Sequence, residues 1–292
     1  FATPSQLPLP NMNTIHTVFH PHCLLAESPL WDPATETLFF VDIKGRQLHA
    51  WSPHHEPQSW PLDDQTGAIA LRHSGGLIGA QKKRFISIQL SPFEVKTVGT
   101  LPDEPEGNRF NDGKCDALGR FWAATMDDAC RLPTGAIWSI NPLQQIKQHD
   151  EGYIVGNGFG WNRDNTRFYF TDSENRTIYT WDFDLTTGAI ENRRIFATIA
   201  EDAGYPDGLC VDAEDFVWSA HWDGGRITRY RPDGEIDRVI PLPVPRPTSL
   251  AFGGEGLTTL FITTASVELS SQQLIEAPLS GAILALACDT PG

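Results

Sequence analysis

Six strand-like cores recur along this 292-residue chain at nearly even intervals. They read T-L-F-F-V-D from Thr37, G-L-I-G-A-Q from Gly76, R-F-W-A-A-T from Arg120, R-F-Y-F-T-D from Arg167, F-V-W-S-A-H from Phe216 and T-L-F-I-T-T from Thr259. Successive starts therefore lie 39, 44, 47, 49 and 43 residues apart. Most cores are followed by a second apolar run, as in Q-L-H-A-W from Gln47, A-I-W-S-I from Ala136 and T-I-Y-T-W from Thr177. Asp164-Asn165, Thr187-Gly188 and Asp233-Gly234 punctuate the units as turns. A unit near this length, holding about four short strands, cannot bury its own apolar face and must stack on neighbours. Radial stacking of six such units predicts an all-β, six-bladed β-propeller. A β-sandwich has no reason to repeat at this period. We expect one propeller domain over residues 14–292, with residues 1–13 a disordered extension or cloning remnant.

Four of the units carry an oxygen-bearing side chain at one equivalent position. These are Glu27 in E-S-P-L-W-D-P, Asn111 in N-D-G-K-C-D-A, Asn157 in N-G-F-G-W-N-R and Asp207 in D-G-L-C-V-D-A. Each lies just upstream of its aromatic core, so ring closure would bring all four to a common axis. Taken singly, Asn157-Gly158, Asp207-Gly208 and Asn111-Asp112-Gly113 are ordinary turn sequences, and Glu27 a surface acid. Their coincidence at one repeat position points instead to a hard-cation site. Carboxylates in a narrow channel are costly unless a cation or a proton neutralises them. All-oxygen ligands favour Ca²⁺, Mg²⁺ or Mn²⁺, and carboxylate with water also accepts Zn²⁺ or Fe²⁺.

Charge and motif content remove several function classes. A net charge of −15 argues against nucleic acid and anionic membrane as partners. No apolar run is long enough for a membrane helix. The Pro-rich start lacks the pattern of a secretory signal. The five cysteines are scattered with no C-x-x-C, which favours a reducing, cytoplasmic setting over a disulfide framework. Asn175-Arg176-Thr177 is read as a chance sequon. Neither G-x-S-x-G nor H-E-x-x-H occurs, so the common serine-hydrolase and zincin routes are absent. Gly156-x-Gly158-x-Gly160 precedes strand rather than helix residues, so it is no dinucleotide loop. Trp-Asp dipeptides stand at non-equivalent places without the Gly-His partner of an interaction propeller. His20, His22, His54 and His55 are expected in solvated loops. His221 ends a strand core where other units have Asp42 and Asp172, and either lines the mouth or satisfies a turn. Arg109, two residues before Asn111, is a candidate to bind substrate through its planar fork.

Several segments resemble the SMP-30/gluconolactonase/regucalcin family. They are A-E-S-P-L-W (26–31), N-R-F-N-D-G-K (108–114), G-R-F-W-A-A-T-M (119–126), G-N-G-F-G-W-N (156–162) and Y-P-D-G-L-C-V-D (205–212), in order from about residue 23 to 287. The segment from Leu269 to Gly281 leans towards bacterial sugar lactonases. The resemblance implies a six-bladed propeller with one divalent metal ion in its channel, hydrolysing a sugar lactone. It implies Glu27, Asn157 and Asp207 as metal ligands, Asn111 as a metal-proximal or substrate-contacting residue and Arg109 as a substrate contact. Asp207 is also the candidate to pass a proton to the ring oxygen. A substrate-contacting acid found after T-M in vertebrate members falls on Ala129 here, which leaves the neighbouring Asp128 as the candidate. The expected partner is a small sugar lactone, bound by a monomer or weak dimer. The alternative is a calcium-binding regulatory protein without catalytic duty.

Overall fold

The computed structural model describes residues 14–292, and the extension expected over 1–13 lies outside the described residues. Six four-stranded antiparallel sheets account for every strand in the described part. The first blade holds Ala26–Asp32, Thr37–Asp42, Gln47–Ser52 and His55–Pro61, in that order from the axis outward. The next four blades repeat this order with innermost strands Thr66–Leu71, Asn108–Cys115, Gly156–Trp161 and Tyr205–Val211. The sixth is composite. Pro247–Gly253, Thr259–Thr264 and Ile283–Ala287 come from the end of the chain, and His16–Phe19 from its beginning adds the outer strand. Innermost strands touch their neighbours all the way round, so the ring is closed.

The repeating aromatic cores form the second strand of each blade, one step out from the channel. Their period-2 pattern explains the stacking. In Thr37–Asp42, Phe39 and Val41 join a buried cluster shared with the second blade, while Leu38 and Phe40 join one shared with the sixth. Six such clusters occur, each spanning one junction between adjacent blades. There is no single core; the apolar burial is distributed around the ring.

A second recurring residue closes the first hairpin of each of four blades. It stands five places after each of the four predicted site residues, at Asp32, Asp116, Asn162 and Asp212. Asp116 accepts backbone hydrogen bonds from Leu118 and Arg120 and the indole N–H of Trp122. Asp212 likewise accepts from Glu214, Phe216 and Trp218. Such side chains fold the turn over their own backbone.

Candidate functional site

Each of the six innermost strands slips register with its neighbour at the same height. The slips fall between Glu27 and Leu30, Thr66 and Ala68, Phe110 and Gly113, Asn157 and Phe159, Pro206 and Leu209, and Pro247 and Leu250. A β-bulge kinks its strand and re-aims side chains. Asn111 and Asp207 fall inside a slip, and Glu27 and Asn157 are the last paired residues before one, so all four residues predicted from the repeat stand at the bulges. The strands pack so closely here that a Cβ on Gly67 would collide with the backbone oxygen of Asn111.

A cavity of about 280 Å³ opens above the bulges, and Glu27, Arg109, Asn111, Asn157 and Asp207 all line it. All five are buried. Asn157 is fixed by donating from Nδ2 to Ser173 Oγ at 3.1 Å, and Ser173 in turn donates to the Pro206 carbonyl at 2.7 Å. Asn157 Oδ1 and Asp207 Oδ1 are then buried with no hydrogen-bond partner. Glu27 accepts from its neighbour's amide, Ser28 N, at 3.0 Å. Burial and then the charges of Asp207 and Asp112 push the Glu27 carboxyl well above its ordinary range. Burial, followed by Asp112, does the same to Asp207.

Unpaired buried acceptors of this kind cost free energy unless something positive meets them. Among the described residues no three His, Cys, Asp or Glu side chains form a metal-binding group. A cation here must therefore use an amide oxygen as well as carboxylates, and Asn157 Oδ1 supplies one. Glu27, Asn157 and Asp207 fit a divalent ion with oxygen preference. Asn111 does not offer its oxygen freely: its Oδ1 accepts from Arg109 Nη1 at 2.9 Å, and its Nδ2 donates to Gly156 O.

Asp112 is the residue that sequence reasoning passed over as part of a turn. The bulge at Asn111 turns it into the channel, on the side away from the cavity, where it lines a second void beside Ser28, Lys114 and Ser249. Burial raises its carboxyl to about 6 against the pull of Lys114 and the Gly113 and Gly158 amides. The signal was available: Asn-Asp are consecutive, and a bulge sends neighbouring side chains towards one axis.

Asp128 and His221 do not line the cavity. Asp128 sits at the rim, 2.5 Å from Arg109 Nε and 3.1 Å from Lys44 Nζ. Partial burial would raise its carboxyl, but Arg109 and Lys44 hold it down at about 2. It is placed to orient Arg109. His221 is 1% exposed, with Nδ1 2.9 Å from the Ala203 carbonyl and Nε2 unpartnered. Nδ1 must carry the proton in that contact. Burial lowers its pKa to about 4, so the ring is neutral near pH 7.

A family model described as SMP-30/Gluconolactonase/LRE-like region matches residues 25–266. The chain belongs to the SMP-30/gluconolactonase/LRE-like family. Within it, regucalcin of Oryctolagus cuniculus is 33% identical over 276 residues, covering 92% of each chain. The solved luciferin-regenerating enzyme superposes with a TM-score of 0.88 at 26% identity, over 96% of this chain and 97% of that one. A regucalcin from Agrobacterium tumefaciens, described as a calcium-binding protein, superposes with the same score at 24% identity over 92% of both. Membership of the SMP-30/gluconolactonase/LRE-like family agrees with the six-bladed ring. All five cysteines are free, and among the described residues no helix is long and apolar enough to cross a membrane.

Proposed function

We propose that the protein is a divalent-metal-dependent lactonase that opens a five- or six-membered sugar lactone to its aldonic acid. The observation that carries this reading is the pair of buried, unpartnered acceptors, Asn157 Oδ1 and Asp207 Oδ1, beside the Glu27 carboxylate at the cavity floor. The relatives' names support both the reaction and the calcium alternative. When bound at Glu27, Asn157 and Asp207, a divalent ion would supply Lewis acidity for a lactone carbonyl and make water a stronger acid.

The remaining chemistry falls to the chain's own side chains. Arg109 lines the cavity while its Nε and Nη1 are tied to Asp128, Phe110 O and Asn111, so the fork is held rigid. Its Nη2 is left to donate to substrate hydroxyl or carbonyl oxygen. Asn111, anchored on Gly156 O, fixes that orientation. Pre-set donors avoid reorganisation as the ester carbon becomes tetrahedral. Asp207 is suited to pass a proton to the ring oxygen as the C–O bond breaks, through whichever carboxylate oxygen the ion leaves free.

The test is acid release from a panel of aldonolactones by protein stripped with chelator and reloaded with one ion at a time, with spontaneous opening subtracted. Undiminished hydrolysis by fully stripped protein would refute the metal requirement. A second reading, regulatory calcium binding without catalysis, draws on the regucalcin relatives. It would be supported by tight, selective Ca²⁺ binding in a calorimeter with no lactone opened under any ion.

A further inference from the structure

Above its polar floor the cavity changes character. Leu25, Met126, Val155, Tyr205 and Trp222 form an apolar collar, and Arg109 is the one cation in the lining. Tyr205 and Trp222 are directly opposite each other on the first two strands of the fifth blade. Residues so paired lie on one face of a sheet. Tyr205 also stands only two residues before Asp207, and both rings line the same cavity as that carboxylate. Each ring is backed by a guanidinium: Arg176 lies 4.0 Å from the Tyr205 ring centre and Arg246 4.6 Å from that of Trp222. Those arginines are themselves anchored, Arg176 to Gly204 O and Arg246 to Asp223 and Val267 O. The two rings are therefore held in place, half-exposed, with part of their surface given to the cavity.

We propose that Tyr205 and Trp222 are specificity-determining residues that stack against the C–H face of an uncharged lactone ring. This rests on the lactonase reading above and adds the substrate's shape and charge. A sugar lactone carries its hydroxyls at the ring edge and apolar C–H bonds on its faces. An aromatic wall beside a polar floor suits such a molecule, its carbonyl down and one face against the rings. Anionic substituents are disfavoured, because Glu174 and Glu268 are in the lining and Arg109 is already paired with Asp128.

Glucono-1,5-lactam, the unreactive amide analogue of a six-membered sugar lactone, tests the contact apart from the chemistry. Its affinity for calcium-loaded protein is measured by titration calorimetry, alongside KM and kcat for glucono-1,5-lactone. Trp222→Ala is expected to weaken lactam binding about three- to tenfold and to raise KM more than it lowers kcat. Trp222→Phe keeps a flat ring, folds without a cavity of the same size, and should recover most of the affinity. Tyr205→Leu should fall between the two. Equal lactam affinity in wild type, Trp222→Ala and Tyr205→Leu overturns the proposal, as does a wild type that binds no lactam. Lactam binding that depends on Trp222, in a protein that opens no lactone, upholds the stacking contact and sinks the lactonase reading instead.

Discussion

Asp207 and Arg109 are the side chains on which the chemistry can be separated from the scaffold. Asp207→Asn keeps an oxygen for the ion but cannot carry the proton, so turnover should fall by about a hundredfold or more. The check is single-turnover lactone opening with ion content measured on the same sample. Arg109→Ala removes the preset donor and should reduce kcat/KM about ten- to a hundredfold while calcium binding persists. Asp112 gives a pH prediction with a definite sign. Its carboxyl is raised in the fold from an ordinary 3.8 to about 6. Stability from the protonated form is thus full below about 4 and lost as pH rises through about 6. Chelator-treated protein should melt several degrees lower at pH 7 than at pH 5, and added divalent ion should restore more at pH 7, where fewer protons compete for its carboxylate ligands. A melting temperature independent of pH between those values would show that Asp112 keeps no excess proton affinity in the fold.

At the level of the strand, a bulge recurs in all six blades. In four of them it accompanies an oxygen-bearing side chain at the axis, and the Asx residue five places on closes the hairpin behind it. Ser173 links two of these strands, accepting from Asn157 and donating to Pro206 O. Ser173→Ala should leave the fold intact yet weaken ion binding about ten- to a hundredfold, read by calorimetric titration, because the Asn157 amide is no longer held. Much of this scale was readable in the chain. The period-2 cores fixed which faces meet, and the repeated Glu27, Asn111, Asn157 and Asp207 marked the axis because they share one register. Asp112 escaped because Asn-Asp-Gly also spells a turn, and only a bulge distinguishes the two. His221 could not be placed because its ring is oriented by Ala203 O, a backbone atom from another segment of the chain. The aromatic collar was hidden too: Tyr205 and Trp222 are seventeen residues apart and become neighbours only through strand pairing.

For the whole molecule, stability is shared among six junctions, and the weakest link is the one that no single stretch of chain completes. His16–Phe19 pairs with Ile283–Ala287, and Val18 and Phe19 pack on the cluster between the sixth and first blades. Deleting residues 1–19 should cost about 1–3 kcal/mol from those two partly buried side chains, measured by denaturant unfolding. Ion binding should weaken with it, since Glu27 sits in the blade next to the open seam. A truncated protein as stable as the full chain would show that three strands suffice for that blade. The same seam sets the order of events at birth. Blades one to five are each contiguous and can form as they leave the ribosome, but the final sheet needs both His16 and Ile283 to have emerged. An emerging polypeptide that still lacks Ile283–Ala287 thus leaves the circle open beside the blade that carries Glu27, and the ring can close only once that strand is out.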